Sequence, residues 1–392
     1  MLGSYGTNGT FNSRAGSAAM NASKQSEVLV LGGGLMGLAI AHQLARRGRR
    51  VHVISRRRNE AAGFVAAGML APHAEGLSGP LLELGQISLQ LIPSWVAQIE
   101  LDGGLACGLR SCGIIVPFKD ANERARYPTV LLGESLNRSQ LEQELPGIGS
   151  AWQAGLLFDQ DGQIDNRRQL MRALEKACTS LGVQFMEGAE VNNLQCDGTG
   201  ALEGIRVRTA VGESKTLPTH EAVLCCGAWS RQLVDGLPVF PVKGQMLSLQ
   251  APRAALKRVI FGPGTYLVPR EDGLVVVGAT SEREAGFDEG LTPGGQNELQ
   301  AGIQSLLPQA TNWPPMERWW GFRPCTPDES PLLGPSPVRG LWLATGHHRN
   351  GVLLAAITAQ LLSEMVMGED TKRTSRDLLQ HFRWDRFTSA QP

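Results

Sequence analysis

The feature that most constrains this chain is a glycine-rich turn between a short apolar run and a helical pattern. Residues 28–31 form the apolar run, residues 32–37 fit the pattern GxGxxG, and residues 35–46 place apolar side chains at helical spacing. A second apolar run follows at residues 51–54. Strand, turn, helix and strand within about 30 residues predict one βαβ unit.

Within that unit, each glycine of the motif has a physical task. Gly32 permits the tight turn, Gly34 lets the backbone approach a pyrophosphate, and Gly37 allows the helix to pack closely against the strand. The amides of Leu35 and Met36 would face the phosphates at the helix N-terminus, where the dipole favours negative charge. The turn therefore predicts a dinucleotide site.

The end of the second strand departs from the usual pattern. An acidic residue normally binds a ribose hydroxyl there, but this chain has Ser55 followed by Arg56, Arg57 and Arg58. A serine hydroxyl still hydrogen-bonds a ribose, whereas arginines at this point suit a ribose 2′-phosphate. The motif alone leaves both FAD and NADP open.

Charge and cysteine usage exclude several classes of protein. Lys plus Arg and Asp plus Glu both number 37, which argues against a nucleic-acid binder because such proteins carry a basic footprint. Apolar windows are interrupted by polar residues, so we expect no membrane span. The seven cysteines lack metal-ligand spacing, so we expect no metal site.

The first 24 residues are rich in Gly, Ser, Asn and Ala and lack apolar periodicity. Such a segment cannot bury enough apolar surface to offset its ordering entropy, so we expect a flexible tail at 1–24. It has no charged start followed by an apolar stretch, which argues against a secretory signal. Together with an odd cysteine count, this predicts a cytoplasmic protein.

The remaining pattern mixes helices with alternating strands. Helices are expected at 83–100, 165–181, 294–306 and 351–367, and a polar connection at 139–149. Strands are expected at 110–117, 183–185, 205–209, 222–225, 245–249, 264–269, 274–278 and 341–344. This mixture predicts an α/β nucleotide-binding domain interrupted by an antiparallel substrate domain.

A further set of motifs carries a family resemblance. The blocks are AAGMLAPHAE at 66–75, VKGQ at 242–245, YLVPR at 266–270, VGAT at 277–280, GFRPCTPD at 321–328 and GHHRNG at 346–351. In this order they closely resemble the glycine oxidases of the D-amino acid oxidase group of flavoenzymes, over residues 27–367. The resemblance favours FAD over NADP.

The resemblance implies a Rossmann-like FAD-binding domain of the glutathione-reductase type, interleaved with an antiparallel-sheet α+β substrate domain. We expect the FAD-binding domain to comprise 25–85, 160–235 and 320–370. The substrate domain is then 86–159 and 236–319, and 371–392 is a C-terminal extension.

Cofactor contacts are expected from the turn, from small residues that let backbone lie against the flavin ring, and from the start of the last long helix. A helix N-terminus there stabilises negative charge on reduced flavin. The expected FAD-binding residues are Gly32, Gly34, Leu35, Met36, Gly37, Ser55, Arg56, Ala67, Gly68, Met69, Val191, His347, His348, Arg349, Asn350, Gly351, Val352 and Leu353. Cys325 differs in spacing from cysteines that attach flavin, so we expect FAD to bind non-covalently.

The resemblance places a substrate clamp on Arg323, Arg349 and Tyr266. Arginine suits a carboxylate because its planar guanidinium donates two parallel hydrogen bonds, and a tyrosine hydroxyl adds another donor. Gly264 stands where some relatives carry His, which leaves the substrate less certain than the reaction type. Glu75 ends a motif block, and the sequence assigns it no role.

By resemblance, the reaction is the oxidative deamination of glycine, and of sarcosine or small D-amino acids, to an imine or glyoxylate, ammonia and hydrogen peroxide. Dioxygen is the acceptor, and the product would serve the thiazole branch of thiamine biosynthesis, with a thiazole synthase as partner and a homotetramer as assembly. The alternatives are another oxidase or dehydrogenase of the same family, and an NADP-dependent dehydrogenase.

Overall fold

The computed structural model describes residues 27–369 and 373–390, so the tail expected at 1–24 lies outside the described residues. The strands are, in chain order, β1 Glu27–Leu31, β2 Arg50–Ser55, β3 Met69–Leu70, β4 Leu109–Arg110, β5 Ile114–Phe118, β6 Glu134–Asn137, β7 Ala154–Phe158, β8 Gly162–Ile164, β9 Gln184–Glu187, β10 Glu190–Cys196, β11 Leu202–Arg208, β12 Ser214–Pro218, β13 Ala222–Leu224, β14 Phe240–Gln250, β15 Val259–Phe261, β16 Tyr266–Pro269, β17 Leu274–Gly278, β18 Pro315–Cys325, β19 Leu332–Pro335 and β20 Leu341–Thr345.

The α-helices alternate with these strands in the first part of the chain and cluster near its end. In chain order they are α1 Leu35–Arg46, α2 Gly79–Gly103, α3 Ala121–Ala125, α4 Arg138–Glu144, α5 Met171–Ser180, α6 Pro293–Leu306, α7 Gly351–Val366 and α8 Arg373–Gln380. Within the described residues, no helix is both long enough and apolar enough to cross a membrane.

A six-stranded sheet in the order β19-β20-β13-β1-β2-β9 forms the centre of one half of the molecule. Its strands run parallel except for the β19–β20 pair. β1 and β13 are buried apolar runs because both faces of a parallel sheet are covered. The expected βαβ unit is β1, α1 and β2, and the turn lies at the carboxyl edge of this sheet.

α1 and α7 cover one face of the six-stranded sheet. α7 is buried over most of its length and packs against α1 and α2, which explains why its sequence is apolar on every side. A three-stranded antiparallel sheet, β10-β11-β12, packs over the other face. β20 runs parallel to β13 and β1. Because α7 follows β20, it begins at the same sheet edge as the glycine-rich turn.

An eight-stranded sheet forms the second half, in the order β18-β14-β17-β16-β15-β5-β7-β6. It is antiparallel except for the parallel β15–β5 pair. α6 covers one apolar face, while the opposite face contacts Ala67, Ala71 and Ala74 of the segment that follows the βαβ unit. The predicted fold class, an α/β nucleotide-binding fold with an antiparallel substrate sheet, is confirmed.

Two expected boundaries fall inside single elements. The one between residues 85 and 86 lies within α2, and the one between 319 and 320 lies within β18, which belongs to the eight-stranded sheet. The polar connection expected at 139–149 is wrong over its first half because α4 occupies it. Asn137 and Gln140 form a capping box there, and this cap stabilises a short polar helix.

Candidate active site

A deep cleft opens at the carboxyl edge of the six-stranded sheet. The segments that follow β1, β2, β9, β13 and β20 all line it, because parallel strands end at the same edge. The empty space of the cleft is about 1250 Å³, including the part open to solvent. This is the position at which open α/β sheets bind their ligands.

Most of the expected cofactor residues line this cleft. They come from the glycine-rich turn, the end of β2, the start of β10 and the junction of β20 with α7. They are Gly32, Gly34, Leu35, Met36, Ser55, Arg56, Val191, His347, His348, Arg349, Gly351 and Val352.

The other expected cofactor residues do not line this cleft. A Cβ on Gly37 would overlap the Gly32 carbonyl, and one on Gly68 would overlap the carbonyl of Ile164, so both glycines serve backbone packing. Ala67 is buried, and its carbonyl accepts a hydrogen bond from Arg270 at 2.6 Å. The remaining three are Met69, which begins β3, Asn350, which directly precedes α7, and Leu353, which is buried in the helical layer.

Sequence reasoning missed the wall contributed by the segment after β13. Cys225, Cys226, Gly227, Ala228 and Trp229 line the cleft next to the glycine-rich turn. The sequence indicated only a core strand at this point. The sequence carries no local signal for this wall, because it arises from the direct pairing of β13 with β1, which brings the following residues to the same edge.

The cleft fits the pyrophosphate and flavin of FAD. Gly34 precedes α1 and Asn350 precedes α7, and within the described chain no side chain caps either N-terminus. Neither helix has an acidic residue in its first turn. Uncapped amides leave two positive helix ends directed at one cleft, and such ends bind phosphate or an electron-rich ring.

The three arginines after β2 are engaged with carboxylates. Arg56 bonds Glu60 and Glu190, each at 3.0 Å, and its guanidinium lies 5.3 Å from the centre of the Trp229 ring. Ion pairs also join Arg57 to Glu60 at 2.8 Å, and Arg58 to Glu175 and Glu187. Guanidiniums already neutralised in this way do not form a 2′-phosphate site, so the structure argues against the NADP alternative.

Two of the clamp residues lie on the eight-stranded sheet. Arg323 on β18 donates from Nη1 to the carbonyl of Thr280 at 3.0 Å. The Tyr266 hydroxyl on β16 lies 3.6 Å from the Met246 sulfur. Burial raises the pKa of Tyr266, and Arg323 partly opposes this, so the hydroxyl remains a donor at neutral pH.

The third clamp residue, Arg349, comes from the six-stranded half, just before α7. Its Nη2 lies 3.4 Å from Oε2 of Glu75. Arg323, Glu75 and Arg349 all act electrostatically on the Tyr266 hydroxyl, so the structure brings the three clamp residues together with Glu75. Two cationic groups, one hydroxyl and one buried carboxyl group therefore lie in one region of the fold.

Two histidines lie where the clamp meets the cleft. Burial lowers the pKa of His347 to about 3, and burial together with Arg323, Arg349 and Arg283 lowers that of His348 to about 3. Both rings are therefore neutral in the folded protein. His347 lies 3.1 Å from the Thr358 hydroxyl through Nε2, and neither ring nitrogen of His348 has a hydrogen-bond partner among the described residues.

Cys325 lies outside the cleft lining, and burial raises the pKa of its thiol. It forms a group of three potential metal ligands with Glu329 and His348. The arginines that lower the pKa of His348 oppose a cation at this place. That the protein binds no metal ion and that it holds its flavin non-covalently both remain predictions.

Comparison with known proteins assigns the family. The sequence profile of the DAO family, described as FAD dependent oxidoreductase, matches residues 27–365. This chain belongs to the DAO family of FAD-dependent oxidoreductases. The predicted flavoenzyme family is thereby confirmed, and FAD is the cofactor that goes with it.

Among relatives of this DAO-family chain, the bifunctional protein ThiO/ThiG of Synechocystis sp. is 41% identical over 357 residues, covering 88% of this chain and 52% of that protein. A glycine oxidase of Pseudomonas aeruginosa is 31% identical and covers 88% of this chain and 95% of the relative. The crystal structure of glycine oxidase from Geobacillus kaustophilus superposes with a TM-score of 0.81 at 30% identity, covering 88% of this chain and 96% of that one. The chain spans about half the length of the ThiO/ThiG relatives.

Proposed function

We propose that this DAO-family chain is an amino-acid oxidase that acts on glycine. The observation that carries the proposal is that Arg323 and Tyr266 of the eight-stranded sheet act electrostatically in the same region as Arg349, which lines the cleft just before α7. Two guanidiniums and a hydroxyl form a donor set for one carboxylate. The relatives that carry the name glycine oxidase support this assignment.

The chain's own residues bind and orient the substrate. Arg323 and Arg349 bind the carboxylate, and the Tyr266 hydroxyl donates to it, which turns Cα toward the flavin end of the cleft. When bound along the cleft, FAD would supply the two-electron acceptor for the hydride from Cα, with dioxygen as the final acceptor and hydrogen peroxide as its product. The imine product hydrolyses to a 2-oxo acid and ammonia, so glycine yields glyoxylate.

The finer parts of the proposal concern setting and partners. The ThiO/ThiG relatives support a role in the thiazole branch of thiamine biosynthesis, with a thiazole synthase receiving the imine. We also propose that the protein is cytoplasmic, that it assembles as a homotetramer and that it binds FAD non-covalently. Acid precipitation tests the last point, since non-covalent flavin stays in the supernatant.

A substrate panel tests the reaction itself. Peroxide formation is measured with glycine, sarcosine and small D-amino acids on the purified yellow protein. We expect glycine to be oxidised and dioxygen to be the acceptor. Sarcosine or a D-amino acid as the better substrate would transfer the proposal to another oxidase of the family, and flavin reduction without peroxide would indicate a dehydrogenase.

Replacing a clamp arginine tests the carboxylate site. Arg323→Ala removes a charged two-pronged donor, so we expect the KM for glycine to rise by roughly 30-fold or more while FAD stays bound. The measurement is steady-state peroxide formation together with the flavin-to-protein absorbance ratio. Arg318→Ala is the matched control, because Arg318 lies on the same strand and is exposed.

We expect the control to keep the wild-type KM. An unchanged KM in Arg323→Ala, with flavin retained, would overturn the assignment of the clamp.

A further inference from the structure

Glu75 is a buried carboxyl group at the clamp to which the sequence gave no role. Its side chain is 6% exposed, and its Oε2 lies 3.4 Å from Nη2 of Arg349. Within the described part of the chain, this oxygen has no hydrogen-bond partner. A buried acceptor without a donor is unfavourable, so it indicates a donor supplied by a ligand.

The backbone that carries Glu75 is fixed by side chains from other elements. Asp161 accepts hydrogen bonds from the amide of Ala74 at 2.8 Å and from that of His73 at 3.2 Å. Tyr127 donates to the Ala74 carbonyl and Thr129 to the His73 carbonyl, both at 2.6 Å. The carboxyl group is therefore held in place before any substrate arrives.

The surroundings of Glu75 are those of the clamp. Burial raises the pKa of its carboxyl group, and Arg349 and then Arg323 oppose that rise. Its charge also acts on the Tyr266 hydroxyl. Glu75 thus lies beside Arg349 and within electrostatic range of Arg323 and Tyr266, the other two groups assigned to the substrate carboxylate.

An amino acid has one more polar group than the clamp accounts for. Its amino nitrogen lies only about 3 Å from the carboxylate oxygens, because both groups are attached to Cα. A carboxylate held by Arg323 and Arg349 therefore brings the amino group within reach of a neighbouring acceptor. Arg323, Arg349 and Tyr266 act as hydrogen-bond donors to the substrate. Glu75 adds an anionic acceptor beside them.

We propose that Glu75 accepts a hydrogen bond from the amino group of the bound amino acid. This inference rests on the proposed function. It makes Glu75 a substrate-binding residue that recognises the amine, while the arginines and the tyrosine recognise the carboxylate. The site then matches both charges of a zwitterion, and a carboxylate without an amine satisfies only half of it.

The test compares two ligands in Glu75→Gln. This change keeps the size of the side chain and an oxygen near Arg349, but removes the negative charge. We expect the glycine concentration for half-maximal anaerobic flavin reduction to rise at least tenfold. Acetate has the carboxylate alone, and we expect its affinity, measured from the flavin absorbance change, to move less than threefold.

A role limited to holding Arg349 would weaken glycine and acetate by the same factor, and this result would overturn the proposal. So would unchanged affinity for both. Glu75→Asp, which retains the charge, should preserve more of the glycine preference and serves if Glu75→Gln does not fold. Glu83→Gln is the control, because Glu83 is an exposed carboxylate on α2. Wild-type protein that binds acetate but is reduced by no amino acid would instead refute the proposed function.

Discussion

Two glycines on neighbouring strands make the space that the clamp side chains occupy. A Cβ on Gly244 of β14 would overlap the guanidinium of Arg323, and one on Gly278 of β17 would lie 2.5 Å from the Tyr266 hydroxyl. Both glycines belong to motif blocks, VKGQ and VGAT, to which the sequence assigned no residue role. The role of each glycine depends on which strands are neighbours in the sheet, and the sequence motifs alone do not show that pairing.

At the residue scale, Gly244→Ala should therefore damage substrate binding without touching the cofactor. The added methyl group displaces the guanidinium of Arg323, so we expect the KM for glycine to rise roughly tenfold, a loss of about 1.4 kcal/mol. FAD affinity, measured by flavin fluorescence, should stay within twofold. Gly198→Ala is the matched control, since a Cβ there has no heavy atom within 4 Å. Equal KM values in the two variants would contradict this account of Gly244.

At the scale of elements, the cleft is made by strand ends rather than by any one motif. Gly32 shows the coupling: its φ is +109°, and a Cβ there would overlap the carbonyl of Cys225, which follows β13. The turn after β1 and the turn after β13 therefore share one close backbone contact. Residues with a side chain rarely adopt such a φ. At Gly32 the Cys225 carbonyl also leaves no room for a Cβ.

Gly32→Ala should weaken FAD binding at least tenfold, because either the turn or the Cys225 carbonyl must move. The measurement is titration of the apoprotein with FAD, followed by quenching of flavin fluorescence. Gly182→Ala controls for backbone strain alone, since Gly182 has a φ of +81° and a Cβ there meets no neighbour. Comparable loss of FAD in both variants would attribute the effect to strain and not to the cleft.

Local signals predicted the part of the fold that depends on neighbours in sequence. The βαβ unit, its turn and the apolar α7 follow from spacing and composition alone. The wall at 225–229 and the space at Gly244 depend on which strands pair, and α4 depends on a side-chain cap. The clamp residues came from motif resemblance, because nothing in their local spacing brings Arg323 near Arg349.

At the scale of the whole molecule, burial of neutral histidines makes stability depend on pH. His347 and His348 have folded-state pKa values of about 3, against 6.5 when exposed. Below pH 6.5 the unfolded chain takes up protons that the folded chain does not, so this stability is present above pH 6.5 and is lost as the pH falls.

Each histidine should lower the free energy of unfolding by about 2 kcal/mol between pH 7 and pH 5. Urea midpoints of the FAD-saturated protein at both pH values measure the loss. His348→Gln removes one titrating group, so we expect the variant to lose less stability than wild type over that interval. An equal loss in both proteins would show that His348 does not titrate in this way.

The clamp also joins the two halves of the molecule. Arg323 projects from β18 of the eight-stranded sheet, whereas Arg349 follows β20 of the six-stranded sheet. One carboxylate bound to both arginines would therefore link the eight-stranded sheet to the six-stranded sheet. Bound substrate should then stabilise the folded protein by linking its two halves.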